Sequence, residues 1–101
     1  MSHLDDLRRV IRELHGVEAT HRESVPVQET WNGQTIWRGI VEVFHLHGHP
    51  ETDTAYAWSH DTDNPDTPKR HVTVLHVHPA TSPLAAVRAA IAQEFYANAQ
   101  A

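Results

Sequence analysis

The sequence predicts an α+β domain in which a helix, a four-stranded antiparallel meander and a second helix follow one another. Three observations support this prediction. Apolar residues recur at helical spacing near each end of the chain. Between them lie β-branched and aromatic runs, the first two joined by Asn32-Gly33, a dipeptide typical of tight hairpin turns. The chain has 101 residues, of which 40% are hydrophobic, and this suits one domain over residues 1–101.

The first helix is predicted over residues 2–15. Apolar side chains recur there every three or four residues: Leu4, Leu7, Ile11 and Leu14. Ser2 is a suitable N-terminal cap, and Gly16 is a suitable residue just beyond the C-terminus. The second helix is predicted over residues 82–96, because Ser82 can cap it and Pro83 fits its first position. Its apolar stripe comprises Leu84, Val87, Ile91 and Phe95.

The strands are predicted at about 25–31, 34–47, 53–60 and 70–78. A two-residue turn at Asn32-Gly33 pairs Trp31 with Gln34 and, further from the turn, Val25 with Ile40. We expect both helices to cover the same face of this sheet. The longest strand is nevertheless apolar on two sides, with Ile36, Ile40, Phe44 and Leu46 on one and Trp37, Val41 and Val43 on the other. Either a bulge at Gly39 restores a single apolar face, or the second face is left for a partner.

The charge balance argues against polyanionic partners. Eight basic and thirteen acidic side chains give a formal net charge of −5, so we expect no nucleic acid and no acidic membrane as the main partner. The chain has no cysteine, which excludes disulfides and thiolate metal sites within it. No apolar run approaches the roughly 18 to 20 residues that span a bilayer. These observations predict a cytoplasmic protein.

Ten histidines are the unusual feature of the composition. The segment HLHGHP contains His45, His47 and His49, and the segment HVHP contains His76 and His78. Histidines two apart on a strand share a face, and two neutral imidazoles so placed can chelate a divalent metal. The candidate metal ligands are therefore these five side chains, with zinc or another divalent ion as the possible cofactor. The alternative is that they are half-exposed histidines at the rim of the sheet.

Aromatic side chains on the strands form the candidate interface. They are Trp37, Phe44, Tyr56 and Trp58. Aromatics on an uncovered sheet face fill protein interfaces, and the scarcity of basic residues on the strands favours protein over nucleic acid. We find no catalytic constellation, because the sequence has neither a glycine-rich phosphate loop nor a serine in a nucleophile-elbow context. Glu29 and Glu42 are interpreted as cross-strand partners of Arg38.

The segments PVQETWNGQTIWRGIVEVFHLHGHPETDTAYAWSH and VTVLHVHPATSPLAAVRAAI resemble small uncharacterised bacterial proteins of about this length. The resemblance covers residues 25–95. It implies a bacterial, cytoplasmic origin and carries over no activity and no functional residue. From the residues themselves, the leading hypothesis is a non-enzymatic protein-interaction module that forms a homodimer. The alternative is a histidine-based metal- or small-ligand-binding protein, and nucleic-acid binding ranks last.

Overall fold

A computed structural model describes the backbone of residues 3–99 and the side chains of residues 3–94. It confirms the α+β class and the order of helix, antiparallel meander and helix. The elements are α1 (His3–His15), β1 (Glu18–Trp31), β2 (Gln34–His47), β3 (Thr54–Asp61), β4 (Lys69–Leu75) and α2 (Pro83–Ala99). The four strands pair in chain order. The predicted cap Ser2 and the side chain of Phe95 lie outside the described residues.

A glycine defines the end of α1, and a serine cap defines the start of α2. α1 ends at His15, and Gly16 adopts a φ of +73° while its N–H donates to the carbonyl oxygen of Arg12 at 2.9 Å. That left-handed conformation favours glycine, so the sequence fixes this end of the helix. At the start of α2, the Ser82 hydroxyl accepts a hydrogen bond from the Ala85 N–H at 3.1 Å, which is the capping interaction the sequence predicts.

The β1–β2 hairpin is longer and more irregular than predicted. Trp31 pairs with Gln34 across Asn32 and Gly33, whose φ angles of 50° and 77° fit the predicted turn. Beyond the turn, Thr30 pairs with Thr35 but Glu29 pairs with Trp37, so Ile36 is an extra residue in β2. Val25 consequently pairs with Val41 rather than with the predicted Ile40. The bulge that shifts the alternation lies at Ile36, and not at Gly39.

β1 begins at Glu18, seven residues before the predicted start, and contains a second irregularity at Arg22, which has no partner in the β1–β2 register. β3 pairs with β2 only over residues 42–45 of β2. Among the described strands, residues 34–41 of β2 therefore pair with β1 alone. We call residues 25–41 the hairpin arm, since this part of the hairpin extends past the pairing with β3.

The helices cover opposite faces of the sheet, which corrects the prediction that they share one. Side chains of α1 pack with Phe44, Leu46, Ala55 and Ala57. Side chains of α2 pack with Val41, Val43, Tyr56 and Trp58. Successive residues of a strand point to opposite faces, so these two sets define two separate cores. The physical reason is that β2 and β3 are apolar on two sides, and each apolar face requires its own cover.

Among the described residues, neither helix combines the length and the apolar character that crossing a bilayer requires.

Candidate functional site

The histidines proposed as metal ligands do not converge. His45 and His47 follow the strand alternation and their rings lie 4.9 Å apart, edge to face. His49 instead lies beside His15 at the end of α1, with ring centroids 6.4 Å apart. β4 ends at Leu75, so His76 and His78 belong to the loop after it and do not share a strand face as predicted. Within residues 3–94, no three histidine, aspartate or glutamate side chains are arranged to hold a metal ion.

Several ring nitrogens of these histidines already have partners. His47 Nε2 lies 2.6 Å from the Thr20 hydroxyl, and His49 Nδ1 accepts a hydrogen bond from the Glu51 N–H at 3.1 Å. His76 Nδ1 accepts from the Tyr56 hydroxyl at 2.5 Å if it is the unprotonated nitrogen. His45 Nδ1 is buried and has no hydrogen-bond partner in the described part of the chain. These contacts tie the histidines to neighbouring strands and loops and leave no shared centre for an ion.

The predicted aromatic interface divides between core and surface. Phe44, Tyr56 and Trp58 are buried in the folded monomer, so they do not form an exposed surface. Trp37 is half-buried, and its ring meets that of Trp58 edge to face with centroids 5.7 Å apart. The opposite-face placement of the two helices explains this difference. Each helix covers aromatic side chains that a one-sided arrangement would have exposed.

A serine, a histidine and a carboxylate meet across the hairpin, but their geometry does not activate the serine. Glu42 is only 6% exposed, and one of its carboxylate oxygens, Oε1, contacts both the Ser24 hydroxyl and His21 Nε2, the latter at 3.0 Å. In a catalytic triad the carboxylate binds the opposite ring nitrogen from the serine. Here both groups converge on the same carboxylate oxygen. The cluster therefore gives a buried carboxyl group its hydrogen-bond partners, with His21 and Ser24 in the place predicted for Arg38.

The partner of Glu29 is also different from the predicted one. Arg88 of α2 forms an ion pair with Glu29 in which its Nε donates to Oε2 and its second amino group lies 3.5 Å from Oε1. The hydrogen bond from Arg88 is the main cause that lowers the pKa of Glu29. This interaction joins the hairpin arm to α2. Sequence alone does not place these two residues together, because they are 59 positions apart.

The end of the hairpin arm is the most exposed apolar part of the sheet. Trp31 is 67% exposed and Ile36 is 50% exposed, and both line an open groove of about 510 Å³ between the arm and α2. Ile91 and Ala92 form the α2 side of this groove. Neither Trp31 nor Ile36 was among the predicted interface residues. The signal for Trp31 was its place beside the Asn32-Gly33 turn, at the end of a hairpin and far from the strand centres.

Comparison with known proteins gives no match to a protein-family model, to a curated protein or to a solved structure.

Proposed function

We propose that this protein is a non-enzymatic interaction module that self-associates through the end of its hairpin arm. The observation that carries the proposal is the exposure of Trp31 and Ile36 beside the apolar groove they line. A large exposed aromatic side chain next to an apolar groove is typical of an interaction surface. Trp31 and Ile36 are therefore the candidate interface residues, in place of the predicted aromatic residues that are buried in the sheet.

A second copy of the chain fits this surface. Trp31 is a protruding side chain and also forms one wall of the groove. Two copies related by a two-fold axis can therefore each place Trp31 in the groove of the other. Because the protruding side chain and the groove share one patch, such a contact closes on itself and does not extend into a filament.

The distribution of charge in the chain also favours a second copy as the partner. The chain carries a net charge of −5, so two copies repel each other over most of their surface. The hairpin arm contains one acidic and one basic side chain, Glu29 and Arg38, and is therefore electrically neutral. The neutral, apolar arm is the part of the molecule where a second copy meets the least repulsion.

Sedimentation equilibrium at tens of micromolar tests the proposal. We expect a mass near twice 11.4 kDa for the natural sequence. The double variant Trp31→Ser/Ile36→Thr should raise the dissociation constant at least about tenfold, equivalent to about 1.4 kcal/mol. Leu14→Gln is the matched control, because Leu14 is 64% exposed on α1, away from the arm, and its replacement should leave the dissociation constant unchanged. A monomeric natural sequence, or equal weakening by the control, would refute the proposal.

A further inference from the structure

The free edges of the two outer strands, β1 and β4, differ in how they are protected. Along β1, Pro26 has no N–H to donate, and the Thr30 N–H donates to Oε1 of Glu29 at 3.0 Å. Nearer the start of β1, the Ala19 carbonyl oxygen accepts a hydrogen bond from Nε of Arg8 at 3.0 Å. Proline and side-chain contacts at an edge disfavour pairing with a further strand. β1 is therefore poorly suited to strand addition.

β4 lacks this protection in its central part. The His76 N–H donates to the Thr54 carbonyl oxygen at 2.9 Å, so the backbone groups of Thr54 face β4. The direction of these groups alternates along antiparallel strands, and in the register of β3 and β4 the residues of β4 that bond to β3 are therefore those at even positions. His71 and Thr73 direct their N–H and C=O groups away from β3. Within residues 3–94, these four groups have no hydrogen-bond partner.

A groove follows this edge on the α2 face of the sheet. It has a volume of about 190 Å³ and lies between β4 and α2, where Val72, Val74, Ala90 and Gln93 are among the residues that line it. A strand added along β4 would place every second side chain on this face, beside the two valines. The intervening side chains would lie on the α1 face, beside polar Thr73. The edge therefore favours a segment in which apolar and polar residues alternate.

The beginning of β4 is basic. Lys69 is 60% exposed and is paired with Asp61 at 2.8 Å, and Arg70 is 58% exposed and is paired with Glu94 at 3.0 Å. A guanidinium group has more N–H donors than one carboxylate can accept, so Arg70 retains donors for a second carboxylate. β4 itself contains no acidic residue, so the β4 strands of two copies would provide no carboxylate for each other. Charge complementarity therefore favours an acidic segment of a different protein over a second copy.

We propose that the free edge of β4 binds an extended peptide segment of another protein, in which two apolar residues two positions apart are followed by an acidic residue. The segment runs antiparallel to β4 and exchanges backbone hydrogen bonds with Thr73 and His71. Its apolar side chains lie in the groove beside α2, and its carboxylate lies beside Arg70. Because β1 and β4 are the two outer strands, this site is independent of the self-association proposed for the hairpin arm.

The peptide acetyl-Ser-Val-Thr-Val-Thr-Glu-amide tests the proposal in a titration followed by ¹H–¹⁵N spectra. In the proposed alignment its threonines lie opposite Thr73 and His71, its valines opposite Val74 and Val72, and its glutamate opposite Arg70. We expect saturable binding with a dissociation constant below about 1 mM. The backbone amide signals of His71 and Thr73 should shift and gain protection from hydrogen exchange, whereas those of β1 should not.

Two N-methylated forms of the peptide provide a matched comparison. N-methylation of the first threonine removes the N–H that donates to Thr73, and it should raise the dissociation constant at least about tenfold. N-methylation of the second valine alters an N–H that points away from β4, and it should leave the dissociation constant within about twofold. Replacement of the glutamate by lysine should weaken binding about threefold, because it reverses the charge opposite Arg70.

Variants of the chain complete the test. Thr73→Pro removes the outward N–H and should abolish binding, whereas Thr73→Val lacks only the hydroxyl group and should bind as the natural sequence does. Trp31→Ser/Ile36→Thr should also bind normally, because the hairpin arm is not part of this site. If Thr73→Pro does not fold, the two N-methylated peptides decide the result.

The proposal is overturned if the peptide does not bind, if the two N-methylated forms bind equally well, or if folded Thr73→Pro binds as tightly as Thr73→Val. It is also overturned if the amides that respond are those of β1. Loss of self-association when the peptide is added to the natural sequence would identify a second copy as the occupant of the edge, and this result would overturn the proposal as well.

Discussion

At the scale of single residues, Gly39 is required by the position of a neighbouring side chain. A Cβ atom at this position would lie 3.1 Å from Cη2 of Trp37. Trp37 cannot move away freely, because its ring also packs against Trp58 in the core on the α2 face. The glycine that the sequence suggests as a bulge therefore has a different role. It leaves space for an indole that lies across the strand.

We predict that Gly39→Ala destabilises the protein by about 1 kcal/mol, because the cost of overpacking exceeds the gain from removing a glycine from a strand. In a Trp37→Leu background the clash is absent, and the same substitution should stabilise by about 0.5–1 kcal/mol. Urea unfolding of the four sequences measures both effects. An equal effect of Gly39→Ala in the two backgrounds would show that Trp37 does not determine the need for glycine.

His15 links the end of α1 to β4 and is sensitive to protonation. Its Nε2 lies 2.8 Å from the hydroxyl of Thr73. Burial is the main cause that lowers the pKa of His15, and the positive charge of nearby His49 lowers it further. A histidine whose pKa is lower in the folded state binds fewer protons there than in the unfolded state. Its contribution to stability is therefore complete above the unfolded value of about 6.5 and is lost as the pH falls below it.

We accordingly expect the urea midpoint to fall between pH 7.5 and 5.5, and His15→Gln to reduce this dependence. Glutamine can retain a hydrogen bond to Thr73 without titrating in this range. His3→Gln, in the exposed first turn of the same helix, is the control and should leave the dependence unchanged. If both variants behave like the natural sequence, His15 does not contribute to the pH dependence.

At the scale of elements, the hairpin shows what the sequence predicts and what it does not. Asn32-Gly33 fixes the turn and the first pair, because few residues accept the positive φ angles required. The bulge at Ile36 has no such local signal, since it lies in a run of β-branched and aromatic residues that is equally compatible with regular pairing. This one unpredicted residue displaced the pairs from Glu29 to Glu23 by one position, and the extra residue Arg22 in β1 restores the register from His21 onwards.

The sequence also does not determine which face of the sheet each helix covers. The two-sided apolar pattern of β2 correctly indicates two apolar faces, but it does not state which helix covers which face. α1 precedes β1 and α2 follows β4, so either helix can reach either face from its end of the meander. The histidine motifs were less informative still, because β4 ends at Leu75 and the strand alternation no longer applies to His76 and His78.

Two separate cores should respond independently to substitution. Ile11 of α1 and Val87 of α2 are fully buried in different clusters on opposite sheet faces. We expect Ile11→Val to cost about 1 kcal/mol and Val87→Ala roughly 2 kcal/mol, from lost apolar burial and the cavity left behind. The double variant should equal the sum to within about 0.5 kcal/mol. A larger coupling in the double-mutant cycle would indicate that the helices share a core.

At the scale of the whole molecule, the distribution of charge predicts how salt affects the proposed self-association. The chain has a net charge of −5, whereas the hairpin arm has none, so association through the arm gains little from ionic contacts. The main electrostatic cost of association is the repulsion between the net negative surfaces that the two copies carry outside the hairpin arm. Salt shortens the Debye length from about 10 Å at 0.1 M to about 3 Å at 1 M and so reduces that repulsion.

We therefore predict that the dimer dissociation constant falls by a few-fold when sodium chloride is raised from 50 to 500 mM, as measured by sedimentation equilibrium at pH 8. An interface built on ion pairs would show the opposite sign, because screening weakens attraction between opposite charges. The Trp31→Ser/Ile36→Thr variant provides the comparison, since any residual association that it shows must come from another surface. Weakening of the natural dimer by salt would exclude the neutral arm as its contact.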